Sequence, residues 1–282
     1  MIGVFDSGFG GLTVLRHLRL ALPARDFVYL GDSGRAPYGG RSVDTILDLS
    51  EQAVERLFEE GCRLVVVACN TVSCVALRHL QRRYAGPESD RRVLGVTIPG
   101  AEAAVRASSG HIAVLATART VASHTYVTEI HKLSPEHRVT QRAAPLLAPI
   151  VEEGWEGTDI ARLAVARYVE GLDADTLLLG CTHYPLLLPA IRAALPAGTT
   201  LVDPAPWLAE RLVDWLARHP GFDEPGTGAL RVLCTGDPAT FASHGERFLG
   251  EPLGVVAHVA EVGGRLAHRD PADAPRGQVV RP

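Results

Sequence analysis

Apolar positions along the chain fall into two alternating rhythms. Short runs rich in Val, Leu and Ile, at residues 2–5, 27–30, 64–68, 93–96, 111–115, 176–179, 200–202, 230–233 and 255–259, predict strands. Between them the spacing lengthens. In 42–60, Val43, Ile46, Leu47, Val54, Leu57 and Phe58 recur at helical intervals with charge between them, which predicts an amphipathic helix. Strand-helix alternation of this kind implies an α/β fold with mainly parallel sheets flanked by helices. The strand cores Val65-Val66-Val67 and Leu177-Leu178-Leu179 are apolar without alternation, as strands buried on both faces require.

Each of these two cores runs into a small residue and then a cysteine. Val-Val-Val-Ala-Cys69-Asn70-Thr71 and Leu-Leu-Leu-Gly-Cys181-Thr182-His183 share a layout, a weak internal repeat that implies two similar α/β units. The division expected from it is 1–92 with 206–260 for the first unit and 93–205 for the second. Residues 261–282, poor in apolar side chains and rich in Pro, Asp, Arg and Gly, read as a loosely attached tail.

Composition narrows the picture. At 282 residues and 46% hydrophobic, the chain has ample material for buried cores. Its net charge is only -4 and it has no Lys/Arg-rich run, so neither nucleic acid nor a lipid surface is the expected partner. No uncharged apolar run is long enough to span a bilayer, and the first strand begins directly after Met1 without room for a secretory signal. Together with five cysteines, an odd number, this points to free thiols and a cytoplasmic location.

Only one of the 28 basic residues is a lysine, Lys132, and it stands at a polar helix end away from every glycine turn. A cofactor held as a lysine Schiff base is therefore not expected. Cys69, Cys74, Cys181 and His183 lack the paired spacing of a zinc site, so a metal is not expected either.

Cys69 and Cys181 both fall at the carboxyl end of a buried strand and just before a helix, where open α/β sheets bind ligands. A helix N-terminus stabilises thiolate, so lowered thiol pKa values are expected there. Buried cysteine often only fills space. Here each is followed by polar residues, and His183, two positions beyond Cys181, is placed to assist proton movement.

The run Asp6-Ser7-Gly8-Phe9-Gly10-Gly11 forms a second strand-to-helix turn whose N–H groups are expected to approach an anion. It fails as a dinucleotide fingerprint, because Thr13 stands where the third glycine belongs, although Asp32 follows at a suitable distance. Asp6 itself reads equally as a helix cap or as a partner for a substrate ammonium or proton. The loop 31–40 after the second strand again offers glycine-flanked N–H groups, here beside Tyr38. Two thiols reaching one carbon from opposite faces are the equipment for removing a proton on one side and returning one on the other.

Asp6-Ser7-Gly8-x-Gly10-Gly11, Pro37-Tyr38-Gly39, Ala68-Cys69-Asn70-Thr71 and Gly180-Cys181-Thr182-His183-Tyr184-Pro185, in this order, strongly resemble the glutamate racemases over about residues 2–260. The resemblance implies two α/β domains with the site in the cleft between them, no cofactor, homodimers, and interconversion of L- and D-glutamate that supplies D-glutamate for peptidoglycan. It further implies that Cys69 serves the D enantiomer and Cys181 the L enantiomer, assisted by Asp6 and His183. Substrate contacts would come from Ser7, Tyr38, Gly39, Asn70, Thr71 and Thr182, with Thr117 and Thr120 lining the same cleft. An aspartate racemase of the same fold would keep both cysteines, and a non-catalytic acid-binding protein would give them no task.

Overall fold

The computed structural model describes residues 1–84, 86 and 89–268. The chain opens with β1 (Ile2–Asp6), α1 (Gly11–Ala21), β2 (Phe27–Gly31), α2 (Val43–Glu59), β3 (Leu64–Val67), α3 (Asn70–Val75), α4 (Leu77–Tyr84) and β4 (Arg92–Gly95). There follow α5 (Thr97–Ala107), β5 (His111–Ala116), α6 (Ala118–Ser123), α7 (Thr125–Leu133), β6 (Arg138–Ala143), α8 (Leu147–Glu152), α9 (Asp159–Val169), β7 (Thr176–Gly180), α10 (Leu188–Ala194) and β8 (Thr200–Val202). The last elements are α11 (Pro204–Arg218), β9 (Leu230–Cys234), α12 (Pro238–Leu249), β10 (Val256–Val262) and β11 (Arg265–His268).

Seven strands form one sheet in the order β11-β10-β9-β2-β1-β3-β4, and four form another in the order β6-β5-β7-β8. All neighbours are parallel except β10 and β11. This is the flanked parallel α/β architecture that the alternation implies. The unalternating strands β1, β3 and β7 are buried at every residue, as their composition demands. Helix α2 begins where the pattern places it because Ser42 caps it, its side chain accepting from Thr45 N at 3.2 Å. Its buried stripe is Ile46, Ala53, Val54, Leu57 and Phe58.

The two sheets are tied together by α11, which packs against α1 of the larger sheet's layer and α5 of the smaller's. Leu208, Leu212 and Leu216 of α11 join Leu12, Leu15 and Leu18 of α1 and Leu177 and Leu179 of β7 in one buried cluster. Both cysteine-bearing strands are thereby anchored to a shared core. Among the described residues no helix is long and apolar enough to cross a membrane.

Three expectations change. Strand β6 was not foreseen: Arg138-Val139-Thr140-Gln141-Arg142-Ala143 is a partly exposed edge whose place comes from backbone pairing with β5. The boundary at 92/93 falls inside β4, which pairs with β3, so the first unit runs through Gly95. The tail begins later than 261, because β10 continues to Val262 and β11 pairs back on it. Residues 269–282 lie outside the described part.

Candidate active site

Carboxyl ends of strands from both sheets converge on a cavity of about 570 Å³, within the usual range for small-molecule sites. Cys69 and Cys181 both line it, as do Ser7, Tyr38, Gly39, Asn70, Thr71, Thr117, Thr182 and His183. The thiols come from different sheets: Cys69 follows β3 and precedes α3, and Cys181 follows β7. All five cysteines are unpaired.

On the Cys69 side, Sγ lies 3.4 Å from Ser7 Oγ. Behind the wall sits Asp6, fully buried at the end of β1. Gly8 N donates to Asp6 Oδ1 at 2.9 Å, and Thr182 Oγ1 donates to Oδ2 at 3.4 Å. Asp6 is therefore not the cap of α1, which starts without one, and it is not on the cavity surface. The glycine turn expected to offer N–H groups to a bound anion directs that of Gly8 to the chain's own carboxylate.

Burial raises the Asp6 pKa above its ordinary value, opposed by the charge of His183 and the N–H groups of Gly8 and Gly11. Burial, followed by the charge of Asp6, pushes the Cys69 thiol up to about 12, against the pull of Ser7 and the Val72 N–H. The expectation of a lowered thiol pKa at this helix start is thus corrected: desolvation outweighs the helix terminus.

The Cys181 side has the opposite polarity. Its Sγ lies 3.7 Å from His183 Nδ1, and His183 Nε2 lies 2.9 Å from Glu152 Oε1 at the end of α8. Burial alone would lower the imidazole pKa, but the interactions with Cys181 and Glu152 overcome it and raise it to about 10. With both ring nitrogens facing acceptors, the imidazolium is the form that satisfies them. One thiol stands beside a buried carboxylate and the other beside a buried cation.

Polar neighbours fix the rest of the wall. Thr71 and Thr117, from the two different sheets' layers, meet at 2.9 Å, and Thr120 reaches them at 3.3 and 3.0 Å. Thr120 is fully buried behind the other two and does not line the cavity, which corrects its expected place there. Tyr126 OH donates to Asn70 Oδ1. Tyr38 OH donates to Asp32, which Arg35 and Thr235 also grip at 2.8 and 2.6 Å. Asp32 thus orients the tyrosine, and its spacing from the glycine turn has no bearing on a nucleotide.

Close contacts join the two halves across the cavity. Arg119 N donates to Gly39 O at 2.9 Å and its Nε to Arg41 O at 2.8 Å. At Gly10 a β-carbon would stand 2.2 Å from Thr182 Oγ1 and 2.6 Å from His183 Nδ1. Gly10→Ala should therefore displace His183 and lower turnover by about a hundredfold, since misplacement of about 1 Å has that effect. Steady-state assay of the variant checks this, and wild-type turnover would show that the close approach is dispensable.

Sequence reasoning missed Glu152. It lies beside Glu153 at the end of an apolar helix, far from His183 along the chain, and no local spacing links the two. The single lysine, Lys132, is exposed, paired with Glu129 at 2.9 Å and absent from the cavity wall. Among the described residues no three His, Cys, Asp or Glu side chains are grouped to hold a metal ion.

A parallel α/β fold with two thiols on one cavity, each backed by its own ionisable groups, defines an acid/base isomerase site rather than a redox or nucleotide site. Residues 14–212 match the family described as Asp/Glu/Hydantoin racemase, and the chain belongs to that family. Within it, the glutamate racemase of Geobacter metallireducens is 41% identical, covering 92% of this chain and 96% of that protein. The crystal structure of Francisella tularensis glutamate racemase in complex with D-glutamate superposes with a TM-score of 0.84 at 31% identity, covering 92% of this chain and 97% of that one. The Escherichia coli glutamate racemase structure with L-glutamate gives 0.76 at 29%, covering 93% and 98%. Picrophilus torridus aspartate racemase, at 15% identity and a TM-score of 0.55, shares the fold alone.

Proposed function

We propose that the cavity interconverts L- and D-glutamate by exchange of the α-proton between Cys69 and Cys181. The observation that carries this reading is that two thiols from separate sheets line one cavity, each with a different ionisable partner. Identity near 40% to glutamate racemases over most of the chain supports glutamate as the substrate.

The polarity of the site assigns resting states. Cys181, whose Sγ faces His183 Nδ1 at 3.7 Å, is the base in this scheme, whereas burial and Asp6 keep Cys69 protonated. Cys181 then takes the α-proton of L-glutamate, leaving a carbanion delocalised into the adjacent carboxylate. The Cys69 thiol delivers its proton to the opposite face, giving D-glutamate. For the reverse reaction the roles exchange, and Asp6, the buried carboxylate whose charge acts on Cys69, is the base assigned to receive its proton. Every proton transfer in this scheme uses groups of the chain itself. Thr71, Thr117, Asn70 and Thr182, polar and on the wall, are the groups that hold the substrate's carboxylates and ammonium.

In this reading the enzyme works in the cytoplasm and supplies D-glutamate for peptidoglycan. A homodimer belongs to this reading, and Leu146, Trp155, Ile160 and Leu163, between the start of α8 and the first half of α9, are exposed apolar side chains that could enter its interface. Protein dialysed against chelator and freed of pyridoxal phosphate should erase the circular dichroism of either glutamate enantiomer and act far more slowly on aspartate. Equal or faster action on aspartate would move the assignment to that substrate. Tight glutamate binding without loss of optical purity would leave a binding protein.

A further inference from the structure

Arg247 lies outside the cavity wall, on α12 in the layer of the larger sheet, yet it grips the helix that carries Glu152. Its Nη2 donates to Val151 O at 2.8 Å and to Glu152 O at 3.3 Å, two carbonyls at the carboxyl end of α8. Val151 O also accepts from Gly154 N at 3.0 Å, so the guanidinium adds a second donor there and reaches Glu152 O beside it, where a cation suits the carboxyl end of a helix. Its Nη1 faces Glu156 Oε2 at 3.8 Å, an oxygen otherwise buried without a hydrogen bond. The guanidinium also lies over the Phe248 ring at 5.8 Å, and that ring meets His183 nearly at right angles with centroids 5.4 Å apart. One side chain therefore touches the backbone of Glu152 and the aromatic neighbour of His183 at once.

The chain leaves room for it. Gly154, just past α8, has φ +75°, and a β-carbon there would stand 2.3 Å from Arg247 Nη1. That glycine both turns the chain in the left-handed region and vacates the space of the guanidinium.

We infer that Arg247 is a positioning residue for one half of the reaction: by clamping the end of α8 it holds Glu152 against His183, and so sets the proton transfer at Cys181 but not that at Cys69. Among the described residues no polar side chain of α12 hydrogen-bonds to Asp6 or Ser7; that helix meets the glycine turn through Phe241 and Phe248, stacked on Phe9. The inference rests on the two-thiol reading above.

The test compares Arg247→Met and Arg247→Lys with the wild-type enzyme, using α-deuterated L- and D-glutamate. Because the two enantiomers are equally stable, kcat/KM must remain equal in the two directions, and the asymmetry appears in isotope effects. Arg247→Met should lower kcat/KM about tenfold to a hundredfold. Its primary isotope effect should rise for the enantiomer whose proton Cys181 removes and fall towards unity for the other. Arg247→Lys, which can still donate to the carbonyls, should restore most of the rate and the wild-type isotope effects.

Equal isotope effects in both directions with a lowered rate would reduce Arg247 to a structural support and overturn the proposal, as would an unchanged rate. If Arg247→Met does not fold, Gly154→Ala, which pushes the guanidinium away, must give the same asymmetry, and its absence there overturns the proposal equally. Failure of the underlying reading is distinguishable, since wild-type enzyme would then not racemise glutamate, or Cys181→Ala would retain activity.

Discussion

Alanine in place of either Cys69 or Cys181 lowers glutamate racemisation by about a thousandfold or more, the range for removing a positioned acid or base. No neighbour can take over. Next to Cys181, His183 turns Nδ1 towards the sulfur and Nε2 towards Glu152, so its protons are already directed. Next to Cys69, Asp6 is sealed behind the cavity wall by Gly8 and Thr182. Losing one buried sulfur costs about 1 kcal/mol of stability, too little to unfold the chain. Circular dichroism of glutamate and thermal unfolding of each variant together check the effect. A variant that keeps its fold and loses less than about tenfold in rate shows that its thiol is not an essential acid or base.

Asp6→Asn should produce opposite changes in activity and stability. The carboxylate is fully buried, and desolvation raises its pKa above the ordinary 3.8. A folded-state pKa above the unfolded value means that the folded chain binds the extra proton between the two. The stability linked to Asp6 is then complete below the unfolded value and is lost as pH rises through the folded one. Asparagine keeps an acceptor for the Gly8 N–H and removes this penalty. The variant should gain in melting temperature over wild type as pH rises through the folded-state pKa of Asp6 and hold that gap at higher pH. Activity should fall by about a hundredfold, because an amide cannot exchange protons with Cys69. Unfolding scans across pH alongside turnover check both halves. A variant less stable at every pH would show that Asp6 is held ionised by its surroundings.

Much of this could be read in the chain because parallel strands carry their own signal. Val65-Val66-Val67 and Leu177-Leu178-Leu179 could only be buried strands, and a cysteine at the end of each had to lie where the sheets open. Edge strands carry less. Strand β6 and strand β11 depend on pairing with β5 and β10, and their sequences, with Arg138, Gln141, Arg142 and Arg265, lack a buried pattern.

The site divided along similar lines. Residues at strand ends were found, whereas Glu152 and Arg247 act through contacts between segments far apart in sequence, which spacing does not record. Charge was the least legible quantity. A helix start beside Cys69 suggested an activated thiol, but burial and Asp6 reverse that expectation.

The most direct measurement follows L-glutamate in D2O at early conversion by NMR or mass spectrometry. Two thiols on opposite faces require the D-glutamate formed to carry solvent deuterium at the α-carbon while the remaining L-glutamate keeps its hydrogen. D-glutamate that retains the original α-hydrogen, or deuterium entering both pools at the same rate from the start, would mean that one base serves both faces.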